Sequence, residues 1–276
     1  MSRKHKPKLG QNFLTDLNAR QRIVDALGDL SGATILEIGP GHGALTDLIL
    51  PRARRLIIVE LDHTLALSLQ VRLGAHPNLT IVEADILSVD LAALLQKEAG
   101  PVRIVGNLPY YITSDILLKL FRTSIAAPGL LTSAVLMMQR EVAERVAAAP
   151  GRRDFGLLSA TTQMHAAADL LFTLGPSSFS PPPEVDSTVL RLRFAERFTE
   201  LAVEPAAFDR FLHGAFAQKR KTLNRNLREL GFSLDQIAAA WPAKLDPQVR
   251  AEATTLEQLA AIHRSLRGTL HALTAI

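Results

Sequence analysis

Thr34-Ile35-Leu36-Glu37-Ile38-Gly39-Pro40-Gly41-His42-Gly43-Ala44-Leu45-Thr46 decides the fold. An apolar run of strand length enters a turn with three glycines and leaves it as helical sequence. At the carboxyl end of a strand in an open α/β sheet, such glycines let the main chain approach a ligand closely. Pro40 removes one backbone N–H from the turn, which makes it a poor cradle for a pyrophosphate. Working outward, Leu56 to Val59 reads as the next strand, and Glu60 ends it 21 positions after Gly39. An acidic side chain there can hold two ribose hydroxyls. Leu79 to Glu83 is a third strand, followed by Ala84-Asp85-Ile86. Asp85 can accept from the exocyclic amine of an adenine while Ile86 covers the ring face, although Asp also commonly caps helices. With Gly39, Gly41, Glu60 and Asp85 placed after successive strands, S-adenosylmethionine is favoured over a dinucleotide or a structural coincidence.

A fourth strand, Val102 to Gly106, runs into Asn107-Leu108-Pro109-Tyr110 and then into an apolar helix beginning near Asp115. An exocyclic amine on a flat base suits this turn. The Asn107 side-chain oxygen and the Leu108 or Pro109 carbonyl can accept its hydrogens, Pro109 fixes φ, and the Tyr110 ring can stack on the base. The plainer reading is an ordinary strand-to-helix turn. An adenine amine is a poor nucleophile because its lone pair is delocalised, whereas a methyl on a sulfonium is already activated. Positioned acceptors would therefore matter more than a general base.

Ala134 to Met138 gives a fifth strand, and the alternation of strand and helix patterns implies a doubly wound, Rossmann-like parallel sheet. After Ser180-Pro181-Pro182-Pro183, Ser187 to Phe194 alternates Val189, Arg191 and Arg193 with Leu190, Leu192 and Phe194. One wet face is expected there, hence an antiparallel edge strand closing the sheet. Phe179, on the Pro-stiffened loop, is either packing or a clamp for a flipped base. Beyond Glu196 helical periodicity takes over, so residues 1–195 are expected to form the sheet domain and 196–276 a small helical domain.

The chain has 276 residues, 47% of them hydrophobic, enough for a sizeable core. It contains no cysteine, which excludes a disulfide framework, a thiolate metal site and a thiol nucleophile. The basic start, Arg3, Lys4, Lys6 and Lys8, is not followed by an apolar run, and no stretch is long enough to span a bilayer. A cytoplasmic monomer without a membrane partner is expected. The net charge of +4 favours a polyanionic partner. Lys219, Arg220, Lys221, Arg225 and Arg228 form a basic cluster in which Lys221, Arg225 and Arg228 have i, i+4, i+7 spacing. It is read as RNA phosphate contacts, against the alternative of a solvated helix face. No metal is expected, because the histidines show no ligand spacing.

Seven blocks in order resemble the bacterial small-subunit ribosomal RNA adenine N6-dimethyltransferases, the kasugamycin-sensitivity methyltransferase family, almost end to end. They are Gly10-Gln11-Asn12-Phe13-Leu14, Gly39-Pro40-Gly41, Val59-Glu60-Leu61-Asp62 with Asp85, Asn107-Leu108-Pro109-Tyr110, Met138 to Arg145, Phe179 with Pro183 to Ser187, and Phe216 to Leu223. The resemblance implies a class I methyltransferase domain and a small helical domain. It assigns Asn12, Leu14, Gly39, Glu60, Asp85 and Asn107 to an S-adenosylmethionine site. Asn107 to Tyr110 would hold the target adenine, with Phe179 as the opposite wall. The implied substrate is a pair of adjacent adenosines in the 3′-terminal hairpin of 16S rRNA, within the immature small ribosomal subunit. Departures are minor: Tyr111-Ile112-Thr113-Ser114 replaces the family's usual Asn-Ile-Ser-Thr, and Asp154-Phe155-Gly156 stands where a Tyr-Gly pair is usual. The alternatives are a non-catalytic assembly or transcription factor on the same fold, and a DNA adenine methyltransferase.

Overall fold

Nine strands occur among the described residues of the computed structural model, which describes residues 12–273 and side chains up to 267. They are β1 (Phe13–Leu14), β2 (Thr34–Ile38), β3 (Arg55–Glu60), β4 (Leu79–Glu83), β5 (Val102–Asn107), β6 (Leu131–Gln139), β7 (Ala166–Leu174), β8 (Phe179–Ser180) and β9 (Ser187–Phe194). The α-helices are α1 (Leu17–Asp25), α2 (Thr46–Ile49), α3 (His63–Leu73), α4 (Leu91–Leu95), α5 (Thr113–Ala126), α6 (Arg140–Ala147), α7 (Leu157–His165), α8 (Pro205–Ala215), α9 (Leu223–Glu229), α10 (Leu234–Ala240) and α11 (Leu256–Leu273).

Seven strands form one sheet in the order β4-β3-β2-β5-β6-β9-β7. β2 to β6 pair in parallel, and β9 runs antiparallel to β6. The order reverses at β2, which lies between β3 and β5, so the turns after β2 and β5 open side by side at a topological switch point. β2 and β3 carry near-continuous apolar sequence because both faces are covered, and Ile35, Leu36, Leu56, Ile57 and Ile58 are fully buried.

Ser187–Phe194 is antiparallel as expected but lies one place in from the edge, with β7 outside it. Ala166-Ala167-Ala168 gives β7 no strand signature, and its pairing is decided by tertiary context. Asp169 on β7 meets Arg191 at 3.3 Å and also binds Arg193, which accounts for arginines on a strand otherwise read as having a wet face.

The chain divides into two compact units, one holding residues up to Ala143 with Ala168–Phe194, the other Glu144–Ala167 with residues from Ala195. The break near Ala195 falls where helical composition begins, but 144–167 clusters with the helical unit. Its Phe155, Ala160 and Met164 share a core with Phe208, Phe211 and Leu259. Within that core, His263 lies 5.2 Å from the Phe208 ring and 5.1 Å from Phe211, and burial pulls its pKa down to about 4. It therefore packs as a neutral ring at neutral pH.

One polar side chain on β2 lies beneath the glycine turn. Glu37 is buried and accepts 2.7 Å from the Thr46 hydroxyl at the start of α2. Burial pushes its pKa up to about 7, the Thr46 hydrogen bond opposing the shift. Since the folded pKa exceeds the carboxyl's ordinary value of 4.5, the protonated form favours the fold. That contribution is full below 4.5 and lost as pH rises through about 7. Glu37→Gln, which cannot ionise, is expected to gain stability relative to the parent between pH 5 and 8, by up to about 3 kcal/mol. Urea unfolding across that range checks it, and parallel curves for the two proteins would show that Glu37 does not titrate there.

Candidate active site

The turns after β2, β3, β4 and β5 enclose a cavity of about 280 Å³, near the small end of ligand clefts. It is lined by Gly39 and Gly41 after β2, by Glu60, by Asp85 and Ile86 after β4, and by Asn107, Leu108, Pro109 and Tyr110 after β5. Asn12 and Leu14 line it from the amino-terminal side. Gly10 and Gln11 of the first block, and the basic residues Arg3, Lys4, Lys6 and Lys8, lie outside the described residues.

The glycine turn is held from three sides. Gly41 has φ of +59°, and a Cβ there would sit 2.9 Å from the Phe13 ring, so only glycine fits the turn beneath β1. Phe13 in turn packs on His42, ring centres 4.3 Å apart. Glu60, buried at the end of β3, accepts from the Gly41 N–H at 3.0 Å through Oε2 and from the Asp62 N–H at 2.9 Å through Oε1. From α3, Arg72 grips Asp47 at 2.6 and 2.8 Å and donates to the His42 carbonyl at 2.9 Å. Each Glu60 oxygen keeps one lone-pair direction for a ligand hydroxyl.

Asp85 holds a turn, the cap of the following helix α4 being Asp90, and it also lines the cavity. Its Oδ1 accepts from the Leu87 N–H at 2.8 Å, turning the chain after β4, while the exposed residue also lines the cavity beside buried Ile86. Oδ2 remains for a ligand donor.

The Asn107 amide donates to the Asn12 carbonyl at 2.8 Å. This bond sets which end of the amide is nitrogen and leaves Oδ1 as an acceptor. The Pro109 carbonyl is already engaged by the Thr113 hydroxyl at 3.0 Å and the Ile112 N–H at 3.2 Å. The Leu108 N–H donates 2.9 Å to the Met137 carbonyl, while its own carbonyl accepts no hydrogen bond among the described residues. The Tyr110 hydroxyl pairs with Ser187 Oγ at 2.6 Å, and burial raises the phenol above its ordinary pKa, so the ring is neutral and fixed. Tyr111 lines the same cavity and is 61% exposed, a second ring at the mouth.

Phe179 is not among the lining residues. It is buried in the sheet core, on β8, opposite Leu14 of β1 in the antiparallel β1–β8 pair. Its connection to the cavity runs through Leu14. Two residues that sequence reasoning misses are Arg72 and Arg20, whose guanidinium grips the Leu14 carbonyl at 2.7 and 3.1 Å. Both sit on helices, and no motif or local spacing marks them.

The basic cluster lies in the helical unit. Lys219, Arg220 and Lys221 precede α9 in a turn, because the Thr222 hydroxyl caps the helix at the Arg225 N–H. Only Arg225 and Arg228 are on the helix, so the i, i+4, i+7 stripe expected from Lys221 is not a single helix face. Lys219, Arg220, Arg225 and Arg228 are exposed.

The sequence matches the ribosomal RNA adenine dimethylase family over residues 2–267. It is 52% identical to the ribosomal RNA small subunit methyltransferase A of Acidobacterium capsulatum, covering 96% of this chain and 93% of that protein. Identity to the protein of the same name from Koribacter versatilis is 50%, over 95% and 94% of the two chains. Among solved structures it resembles the 23S rRNA methyltransferase ErmE, with a TM-score of 0.70 and 28% identity over 93% of this chain and all of that one. A dimethyladenosine transferase from Plasmodium falciparum shares the fold with a TM-score of 0.74 at 23% identity, covering 91% and 95%. By sequence over nearly its whole length, the chain belongs to the ribosomal RNA adenine dimethylase family.

Proposed function

We propose that the protein dimethylates the N6 amines of two adjacent adenosines in the 3′-terminal hairpin of 16S rRNA, using S-adenosylmethionine and acting on the immature small subunit. The observation that carries the chemistry is the Asn107–Asn12 hydrogen bond, which presents Oδ1 as a fixed acceptor next to the Leu108 carbonyl. Family membership supports the substrate class. No observation favours a non-catalytic factor or a DNA enzyme, since the acceptors and the acidic residues lining the cavity are all present.

The cavity fits the cofactor. Glu60 and Asp85 offer acceptors for ribose hydroxyls and an adenine amine, Ile86 gives an apolar face, and Gly41 lets the turn pack closely under Phe13. When bound, the cofactor supplies a methyl group already activated by a sulfonium. The chain supplies position and charge stabilisation. Asn107 Oδ1 and the Leu108 carbonyl accept hydrogen bonds from the two amine hydrogens, draw the nitrogen toward tetrahedral geometry and stabilise the positive charge that develops there, and the surplus N6 proton then leaves to solvent. Tyr110, pinned by Ser187, stacks on the base. For the second transfer one acceptor loses its hydrogen bond, so the pocket must admit a methyl where a hydrogen sat. Phe179 acts through β1, holding Leu14 and, by way of Phe13, the Asn12 carbonyl in place. Lys219, Arg220, Lys221, Arg225 and Arg228 bind phosphates of the rRNA.

Asn107→Ala is expected to cut methyl transfer by about a hundredfold or more while RNA binding persists. Single-turnover assays on unmethylated small subunits measure it, and near-normal rates would remove Asn107 from the chemistry. Asp85→Asn keeps the Oδ1 bond to Leu87 but replaces the free acceptor with a donor. It should weaken S-adenosylmethionine by about 1–3 kcal/mol with little loss of stability, read by calorimetric titration. Parental affinity would mean that Asp85 only shapes its turn. Replacing three of the five basic residues with Ala should weaken subunit binding and leave cofactor affinity unchanged. The logarithmic salt dependence should flatten by about 0.7–0.9 for each phosphate no longer neutralised. Unchanged binding with an unchanged slope would make the cluster a solvated face.

A further inference from the structure

Within the helical unit, three donors converge on one carboxylate. Lys221 Nζ lies 2.5 Å from Glu229 Oε1, the Gln218 amide donates to Oε2, and Arg225 Nε is 4.0 Å from Oε1. The turn that carries Gln218 and Lys221 is itself fixed. Buried Asn226 donates from its amide to the Ala215 carbonyl at 2.6 Å and to the Gln218 carbonyl at 3.4 Å, and the Lys221 N–H closes on the Gln218 carbonyl at 3.0 Å. Two cations and an amide held around a single pair of anionic oxygens is the arrangement that binds a backbone phosphate. Lys219, Arg220 and Arg228 of the same cluster have no ion-pair partner among the described residues.

We propose that Glu229 is an intramolecular stand-in for an RNA phosphate: it holds Gln218, Lys221 and Arg225 in a phosphate-binding arrangement, and RNA docks by displacing it. The inference rests on the reading of the cluster as an RNA-binding surface. Glu229 is 42% exposed, Lys221 26% and Arg225 66%, so water reaches the carboxylate and the outer Arg225 contact is the first to exchange. A groove of about 880 Å³, lined by Arg228, Glu229, Phe232 and Pro247, gives the displaced carboxylate room to turn away from the incoming phosphate. The stand-in spares RNA part of the entropy of ordering two long side chains, and it raises the threshold for weak anions.

Glu229→Gln, measured by filter binding to unmethylated small subunits, should bind about threefold to tenfold tighter at low salt, with a logarithmic salt slope steeper by about 0.7–0.9. Asp209→Asn removes the same charge from α8 and should change affinity less than twofold, by about the amount long-range charge alone allows. In a Lys221→Gln, Arg225→Gln background the gain from Glu229→Gln should vanish. Equal gains from Glu229→Gln and Asp209→Asn, or no gain from the former, would overturn the stand-in. If the basic-cluster variants lose subunit affinity in that same case, the RNA surface stands and only the role of Glu229 fails. If they lose none, the reading of the cluster fails with it.

Discussion

One buried carboxylate holds together the two ends of the cofactor-side turn. Glu60 takes N–H groups from Gly41 and from Asp62, and so ties the loop after β2 to the start of α3. Both N–H groups lack a partner of their own at a strand-to-helix turn, and a single acidic residue satisfies them. The glycine turn can then stay open, with positive φ at Gly39, Gly41 and Gly43, without collapsing into the cavity it lines. Arg72 and Phe13 add to this from opposite sides, but neither reaches the main-chain donors that Glu60 holds.

The same division of labour recurs at Asn107. Half of the amide is committed to the Asn12 carbonyl, which fixes the orientation of the other half. Asp85 divides its two oxygens in the same way. Polar residues at these turns each give one atom to the backbone and keep another facing the cavity, so a structural bond and a ligand bond do not compete for the same atom. Where the backbone takes one oxygen, the second is better positioned for a substrate than a freely rotating carboxylate would be.

Much of this was legible in the sequence. β2, β4 and β9 begin and end where their apolar runs meet turn residues, and the residues named after successive strands do meet at one cavity. What escaped has a physical reason in each case. β7 opens on three alanines, which favour helix, and becomes a strand only because β9 offers it a partner and Arg191 and Arg193 find Asp169 there. The residues 144–167 lie between sheet strands in sequence, yet the burial of Phe155 and Met164 sends them to the helical core. Phe179 could be read as a clamp or as packing, and only its partner strand shows where the ring goes. The stripe from Lys221 to Arg228 failed because Thr222 starts a new helix in its midst.

The short β1–β8 ladder joins Phe13 and Leu14 to Ser180 and Phe179, and with it the Asn12 carbonyl that orients Asn107. During synthesis the amino-terminal end must therefore wait for about two-thirds of the protein to leave the ribosome before it can settle. Until β8 emerges, the sheet's first turns can form while Asn107 is still without its anchor. Closing so long a stretch of chain is slow in entropic terms compared with forming the local turns. A nascent chain thus cannot fix the Asn107 amide until about two-thirds of it has been made.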